Sequence, residues 1–214
     1  MSETSTPVFG KVLILNGSAR ANGTTRGAID TLAESLNSEG IETEILTVGN
    51  LNLSGCQECY ECGKLKRCAI DDEVNLIAEK LRLCDGIVLA SPVFYAAPNG
   101  QFLAILDRLF YSSRFDKSMK VGASVVVARR GGCTAAFDVL NKYFTVSGMP
   151  VVSANYWNQV HGKNADEART DEEGMQTMRI LGRNMAFLIR AIKMAKDSIP
   201  LPTSEKKVYT NYIR

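Results

Sequence analysis

Four of the chain's six cysteines fall in one short stretch, CQECYECGKLKRC, as Cys56, Cys59, Cys62 and Cys68. Their spacing is C-x2-C-x2-C-x5-C. Thiols at this density admit three readings: a disulfide staple, a metal or iron–sulfur site, or thiols left from an ancestral site. Two-residue gaps let successive sulfurs converge on one centre, and four thiolates from one loop are the usual ligand set of a 4Fe–4S cluster. Gly63 supplies a turn before Cys68, and Lys64, Lys66 and Arg67 would offset an anionic cluster. Four thiolates also make a tetrahedral zinc site, but zinc loops more often carry two C-x2-C pairs set further apart. Zinc therefore ranks below the cluster. Cys84 and Cys133 lie in helical patterns and read as small buried hydrophobes. The single His161 leaves no multi-histidine site, no Ser-His-Asp set is visible, and no acid–base residue is assigned.

Three further loops carry chemistry. Asn16–Thr25 (NGSARANGTT) joins an apolar run directly to a helical one. Its glycines permit close backbone approach, Ser18, Thr24 and Thr25 offer hydroxyls, and Arg20 adds a charge. The helix start adds free N–H groups and the positive end of a dipole. With neither a Walker Gly-Lys-Ser/Thr nor a clean G-x-G-x-x-G, the loop suits a monophosphate better than a pyrophosphate. The plain alternative is a strand-to-helix turn with a Thr cap. The second loop, Ser91–Asn99, offers Pro92, Val93, Phe94 and Tyr95 as a flat wall for a planar heterocycle. Pro92 and Pro98 are expected to prevent regular pairing there. Alternatively the two aromatics cover the top of the core. The third loop, Arg129-Arg130-Gly131-Gly132, is either solvated charge or a partner for a phosphate or a reduced ring.

The elements between these loops alternate. Strands are expected at Lys11–Asn16, Ile41–Val48, Gly86–Ala90, Val121–Ala128 and Pro150–Tyr156. Helices are expected at Thr24–Glu39, from an Asp71 or Asp72 cap to Asp85, and at Pro98–Tyr111, Cys133–Ser147 and Asp171–Asp197. Strict alternation implies parallel pairing with right-handed crossovers. The expected architecture is α/β: a doubly wound five-stranded parallel sheet of flavodoxin type, order 2-1-3-4-5, with helices on both faces. Ligands of such sheets bind beyond the carboxyl ends of the strands. That rule selects the loops after the first, third and fourth strands. The whole chain, 1–214, is expected to form one domain, with a helical extension from about 165.

Composition excludes other classes. Hydrophobic residues are 45%, charged residues 22% and net charge +2, so nothing points to nucleic acid or an anionic membrane. No apolar run reaches membrane-span length, and MSETSTPVFG resembles a frayed tail rather than a secretory signal. The expected location is cytoplasmic, where thiols stay reduced and disulfides are a minor reading.

The motifs together resemble a known family. GSARANGTT is similar to the pattern G-S-x-R-x-x-G-[NST]-T, and SPVFYAAPNGQFLAILDR resembles the flavin-ring loop and following helix of NADPH-dependent FMN reductase-like flavodoxin-fold proteins. CQECYECGKLKRC followed by IDDE resembles the cysteine motif of their iron–sulfur flavoprotein branch. The resemblance implies non-covalent FMN, with its phosphate among Ser18, Arg20, Asn22, Gly23, Thr24 and Thr25. The isoalloxazine would lie against Pro92, Val93, Phe94 and Tyr95, with Asn99, Arg129, Arg130, Gly131 and Gly132 nearby. It also implies a 4Fe–4S cluster on Cys56, Cys59, Cys62 and Cys68.

The expected function is an FMN oxidoreductase passing electrons from NAD(P)H or a ferredoxin-like protein to a small-molecule or protein acceptor. The alternatives are a relay of single electrons between proteins and a non-enzymatic redox sensor. A homodimer or higher homo-oligomer is expected for two reasons. The stripe Met175, Met178, Leu181, Met185, Leu188 and Ile192 needs its own sheet or a partner to bury it. Trp157, just past the expected fifth strand, would line a flavin pocket, that of the same or a neighbouring subunit; the plain alternative is a surface loop with one aromatic tucked into the core.

Overall fold

The computed structural model describes residues 8–203, 205–206 and 208–210. Most of the expected N-terminal tail lies outside the described residues. Six strands form the sheet: β1 (Gly10–Asn16), β2 (Ile41–Thr47), β3 (Gly86–Phe94), β4 (Ala97–Pro98), β5 (Val121–Ala128) and β6 (Gln159–His161). Five of them run parallel in the order β2-β1-β3-β5-β6, and the two-residue β4 folds back antiparallel on β3. The parallel strands thus keep the expected 2-1-3-4-5 order, with β4 as an addition.

Side-chain alternation along the strands divides the core in two. Val12, Ile14, Val88, Ala90, Val125 and Val127 face one side, where α1 (Thr24–Ser38) packs. Leu13, Leu15, Ile87, Leu89 and Val126 face the other. That side is covered by α3 (Glu73–Leu83), α4 (Gly100–Ser112) and α5 (Cys133–Thr145); a one-turn helix, α2 (Cys62–Leu65), lies within the cysteine stretch. Two helices follow β6: α6 (Ala165–Thr170) and α7 (Glu172–Lys196), separated by Asp171. In α7 the buried Met175, Met178, Leu181 and Met185 join the α1 side of the core. The molecule's own sheet therefore covers the methionine stripe, which on its own calls for no second subunit.

Three expectations change. First, β3 does not stop at Ala90 but continues to Phe94, with Pro92 in register with Val127. Ala90 O accepts from Gly17 N at 2.7 Å, so two residues on, Pro92 N faces the same side, beyond the end of β1. No ladder bond is lost there, which is why proline is tolerated. Second, the fifth strand is not Pro150–Tyr156. Val151 makes one isolated bridge with Gly122, and the chain rejoins β5 only at Gln159–His161. The pattern fails because Val151-Val152 is the stronger β signal, whereas β6 holds a single apolar residue, Val160. Third, Trp157 consequently precedes the last strand instead of following it.

Candidate functional site

The strand ends bring the expected loops to one cavity of about 300 Å³. It is lined by Ser18, Arg20, Thr24 and Thr25 from the first loop, by Pro92, Val93 and Phe94 at the end of β3, and by Arg129 after β5. A larger open groove of about 640 Å³, around Thr31, Met175 and Arg179, is formed by helices alone and carries mixed charges.

The first loop is locked from beneath. Ser18 N donates to Asn16 Oδ1 at 3.0 Å, and Arg20 N donates to Ser18 Oγ at 3.1 Å. Asn99 Nδ2 donates to Gly17 O at 2.8 Å, while Asn99 Oδ1 caps α4 by accepting from Gln101 N at 3.1 Å. Gly49 packs so closely that a Cβ there would lie 2.1 Å from Gly17 O. No side chain caps α1 at Gly23, and its first turn holds no acidic residue. The positive end of that 15-residue helix is therefore open toward the cavity.

The second and third loops interlock. Tyr95 and Ala96 both have positive φ, 50° and 61°, and form the tip between β3 and β4. Gly132, at φ 93°, packs beneath it: a Cβ there would lie 3.0 Å from Ala96 Cα. Tyr95 is fully exposed. Asn22, Gly23, Tyr95, Asn99, Arg130, Gly131 and Gly132 thus stand beside the cavity rather than in its lining. Asn99 is a brace, with its amide committed to Gly17 and to the cap of α4.

Sequence reasoning missed Val127, Ala128, Gly162 and Lys163, which also line the cavity. They come from the end of β5 and the turn after β6. Thr24 Oγ1 reaches Gly162 O at 3.4 Å and ties that turn to the first loop. The signal in the sequence was Val160-His161-Gly162-Lys163-Asn164, a fourth strand-to-helix turn at the same sheet end. Trp157 does not line the cavity; it packs on Tyr156, ring centroids 5.0 Å apart, on the approach to β6.

The four cysteines line a second cavity with Tyr60, Ile70, Arg108, Tyr111 and Ser112. Outside α2 the stretch is irregular, with Glu58, Tyr60 and Lys66 all at positive φ near 50–60°. Cys56 and Cys59 are exposed; Cys62 and Cys68 are buried. Arg108, 1% exposed, holds the stretch to α4. Its guanidinium donates to Cys68 Sγ at 3.3 and 3.4 Å, to Ser54 O at 3.1 Å, to Ile70 O at 3.2 Å and to both oxygens of Asp72. Arg114 Nη2 donates to Cys62 Sγ at 3.3 Å. Among the described residues no group of three or more His, Cys, Asp or Glu side chains is gathered to hold a metal ion. The fold brings the four thiols to one cavity without drawing the sulfurs into a closed ligand set. The donor chemistry still fits an iron–sulfur cluster: four thiols on one cavity, two of them facing guanidinium groups suited to an anionic centre. The same cavity holds the buried Ser112 Oγ, which lacks a hydrogen-bond partner.

Comparison with known proteins agrees with this geometry. Residues 10–164 match the family model described as NADPH-dependent FMN reductase. The chain is 33% identical over 199 residues to an iron-sulfur flavoprotein of Methanocaldococcus jannaschii, covering 86% of this chain and 99% of the relative. Among solved structures, RosB with a bound 8-demethyl-8-formylriboflavin-5'-phosphate superposes with a TM-score of 0.66 at 20% identity, covering 95% of this chain and 94% of that one. A flavodoxin from the domain Archaea superposes with a TM-score of 0.58 at 14% identity, covering 84% and 99%. The fold is flavodoxin-like, and the chain belongs to the NADPH-dependent FMN reductase family, in its iron–sulfur flavoprotein branch.

Proposed function

We propose that the protein is an FMN-dependent oxidoreductase that takes electrons from NAD(P)H or a reduced iron–sulfur protein and delivers them to a small-molecule or protein acceptor. The observation that carries this reading is the cavity at the strand ends, where an uncapped helix start, three hydroxyls, cations and an apolar wall meet. Ser18, Thr24, Thr25 and Arg20 would hold the phosphate, with Asn22 and Gly23 shaping the loop around it. Pro92, Val93 and Phe94 would support one face of the ring, and Tyr95, Asn99 and Arg129–Gly132 would frame it. Bound FMN supplies the exchange between two-electron hydride chemistry and single-electron transfer. Arg129 would favour a ring that gains negative charge on reduction, and the apolar wall would cover one face of it.

Cys56, Cys59, Cys62 and Cys68 would hold a 4Fe–4S cluster, which supplies single-electron exchange. Their shared cavity also supports a second reading, a relay of single electrons between proteins without a small-molecule substrate. Such thiols suit a reducing compartment, so the proposed location is the cytoplasm. The proposed unit is one domain that assembles as a homodimer or higher homo-oligomer, a reading supported by Phe94, Tyr95, Tyr156 and Trp157, each at least half exposed.

The visible spectrum of protein purified without oxygen tests the cofactors: flavin bands with a broad cluster shoulder are expected. Rapid bleaching by NADPH selects the oxidoreductase, and reduction by ferredoxin alone selects the relay. A colourless protein that takes up no FMN would defeat both readings.

A further inference from the structure

The cavity at the strand ends is lined by three cations, Arg20, Arg129 and Lys163, and by no carboxylate. Among the described residues none of the three forms a side-chain ion pair. Lys163 is the unexpected member. It stands on the turn between β6 and α6, which two contacts fix. Thr24 Oγ1, at the first turn of α1, reaches Gly162 O at 3.4 Å, and Lys163 N donates to Glu167 Oε2 at 2.8 Å. Neither acidic residue of α6 pairs with the Lys163 side chain: Glu167 accepts from Lys163 N, Asp166 pairs with Arg169 at 2.9 Å, and neither lines the cavity. The first contact matters most, because it sets Lys163 beside the uncapped start of α1, where an anion is favoured.

We propose that Lys163 is a specificity-determining residue of the cofactor site: from the turn after β6, a different element from the loop that carries Arg20, it reads the phosphate and selects the phosphorylated flavin over the unphosphorylated one. The inference rests on the cofactor reading above and adds a residue to it. An ammonium is a compact point charge on a flexible stem, suited to following a phosphate dianion without fixed geometry. Arg20, the hydroxyls and the helix start supply donors from one loop only. Lys163 supplies charge from a separate element, so its removal should weaken phosphate recognition while the ring wall of Pro92–Phe94 stays intact. It is an exposed side chain, so its contribution should fade as salt rises.

The test is titration of flavin-free full-length protein with FMN and with riboflavin, read by quenching of flavin fluorescence, for the wild type, Lys163→Gln and Lys163→Arg. The expected result is about a tenfold weaker affinity for FMN in Lys163→Gln at low salt, the scale of one charge-assisted contact. Riboflavin affinity should be unchanged, and Lys163→Arg should restore most of the loss. Equal FMN affinity in wild type and Lys163→Gln overturns the role of Lys163 alone. A parallel loss for riboflavin also overturns it, because the residue would then be shaping the fold rather than reading the phosphate. A wild type that binds no FMN overturns the cofactor reading and this inference together.

Discussion

Arg108 and Asp72 meet at two points, Nη1 to Oδ2 at 2.7 Å and Nη2 to Oδ1 at 2.8 Å, across the base of the cysteine stretch. Asp72 Oδ1 also accepts from Val74 N at 3.1 Å and so caps α3. One carboxylate thus anchors a helix start and neutralises a buried cation. Removing either partner leaves the other charge uncompensated. Arg108→Met should cost about 3–5 kcal/mol of stability in urea unfolding, typical of a broken buried pair. A loss below about 1 kcal/mol would show that solvent or other groups satisfy Asp72.

The six thiols should differ sharply in reactivity. Cys56 and Cys59 are exposed. Burial pushes the thiols of Cys84 and Cys133 up to about 11, so they stay protonated and inert at neutral pH. With reduced apo-protein at pH 8, iodoacetamide followed by peptide mass mapping should label Cys56 and Cys59 first and leave Cys84 and Cys133 untouched until unfolding. Early labelling of Cys133 would contradict its burial at the start of α5.

Gly49 has no room for a side chain, since a Cβ there would lie 2.1 Å from Gly17 O. Gly49→Ala should force the first loop off its position. We expect a stability loss of about 1–3 kcal/mol, the usual range for overpacking. FMN retention should also fall, because Gly17 leads directly into Ser18. Full flavin content after gel filtration would separate this contact from the cofactor site.

The loop-based phosphate assignment has its own test. Arg20→Ala combined with Thr25→Ala removes a charge and a hydroxyl from the cavity lining. The double variant should lose FMN on dialysis that leaves the wild type loaded. Undiminished flavin would remove these residues from the site.

Lys117 links stability to pH. It is 8% exposed, lies over the Phe115 ring with Nζ 4.7 Å from the centroid, and donates to Ser113 O. Burial, then the neighbouring Arg114, lowers its pKa from 10.5 to about 8, with Asp116 opposing and Lys120 adding to the effect. The unfolded chain therefore binds this proton more tightly, and the Lys117 contribution to stability rises with pH between about 8 and 10.5. Relative to Lys117→Met, the wild type should gain about 1 kcal/mol between pH 7 and 9. A flat difference would mean that Lys117 stays charged in the fold.

The parallel sheet was legible because β1, β3 and β5 are short apolar runs ending in loop signals, and Asp72 announces α3 as a cap. The cavity was legible where a loop follows a strong strand. It was missed at Gly162 and Lys163 because β6 is too short and too polar to mark itself, and because Val151-Val152 offered a better-looking strand nearby. The end of β3 was misjudged for another reason: whether a proline breaks a strand depends on which side its nitrogen faces, and only the partner strands reveal that. The role of Arg108 was equally hidden. Its position in α4 looks like an ordinary helix residue until the cysteine stretch is laid against it.

Helix α4 is capped by Asn99, which holds Gly17 of the first loop, and carries Arg108 into the cysteine cavity nine residues later. At about 1.5 Å per residue the two contacts stand about 14 Å apart along one axis. Inserting a single residue between them would turn Arg108 by about 100°, away from Asp72, while Asn99 kept its place. The separation of the two cavities is therefore written as a residue count. Between positions 99 and 108 the chain should therefore accept no change of length, because the number of residues between Asn99 and Arg108 works as a ruler between the two cavities.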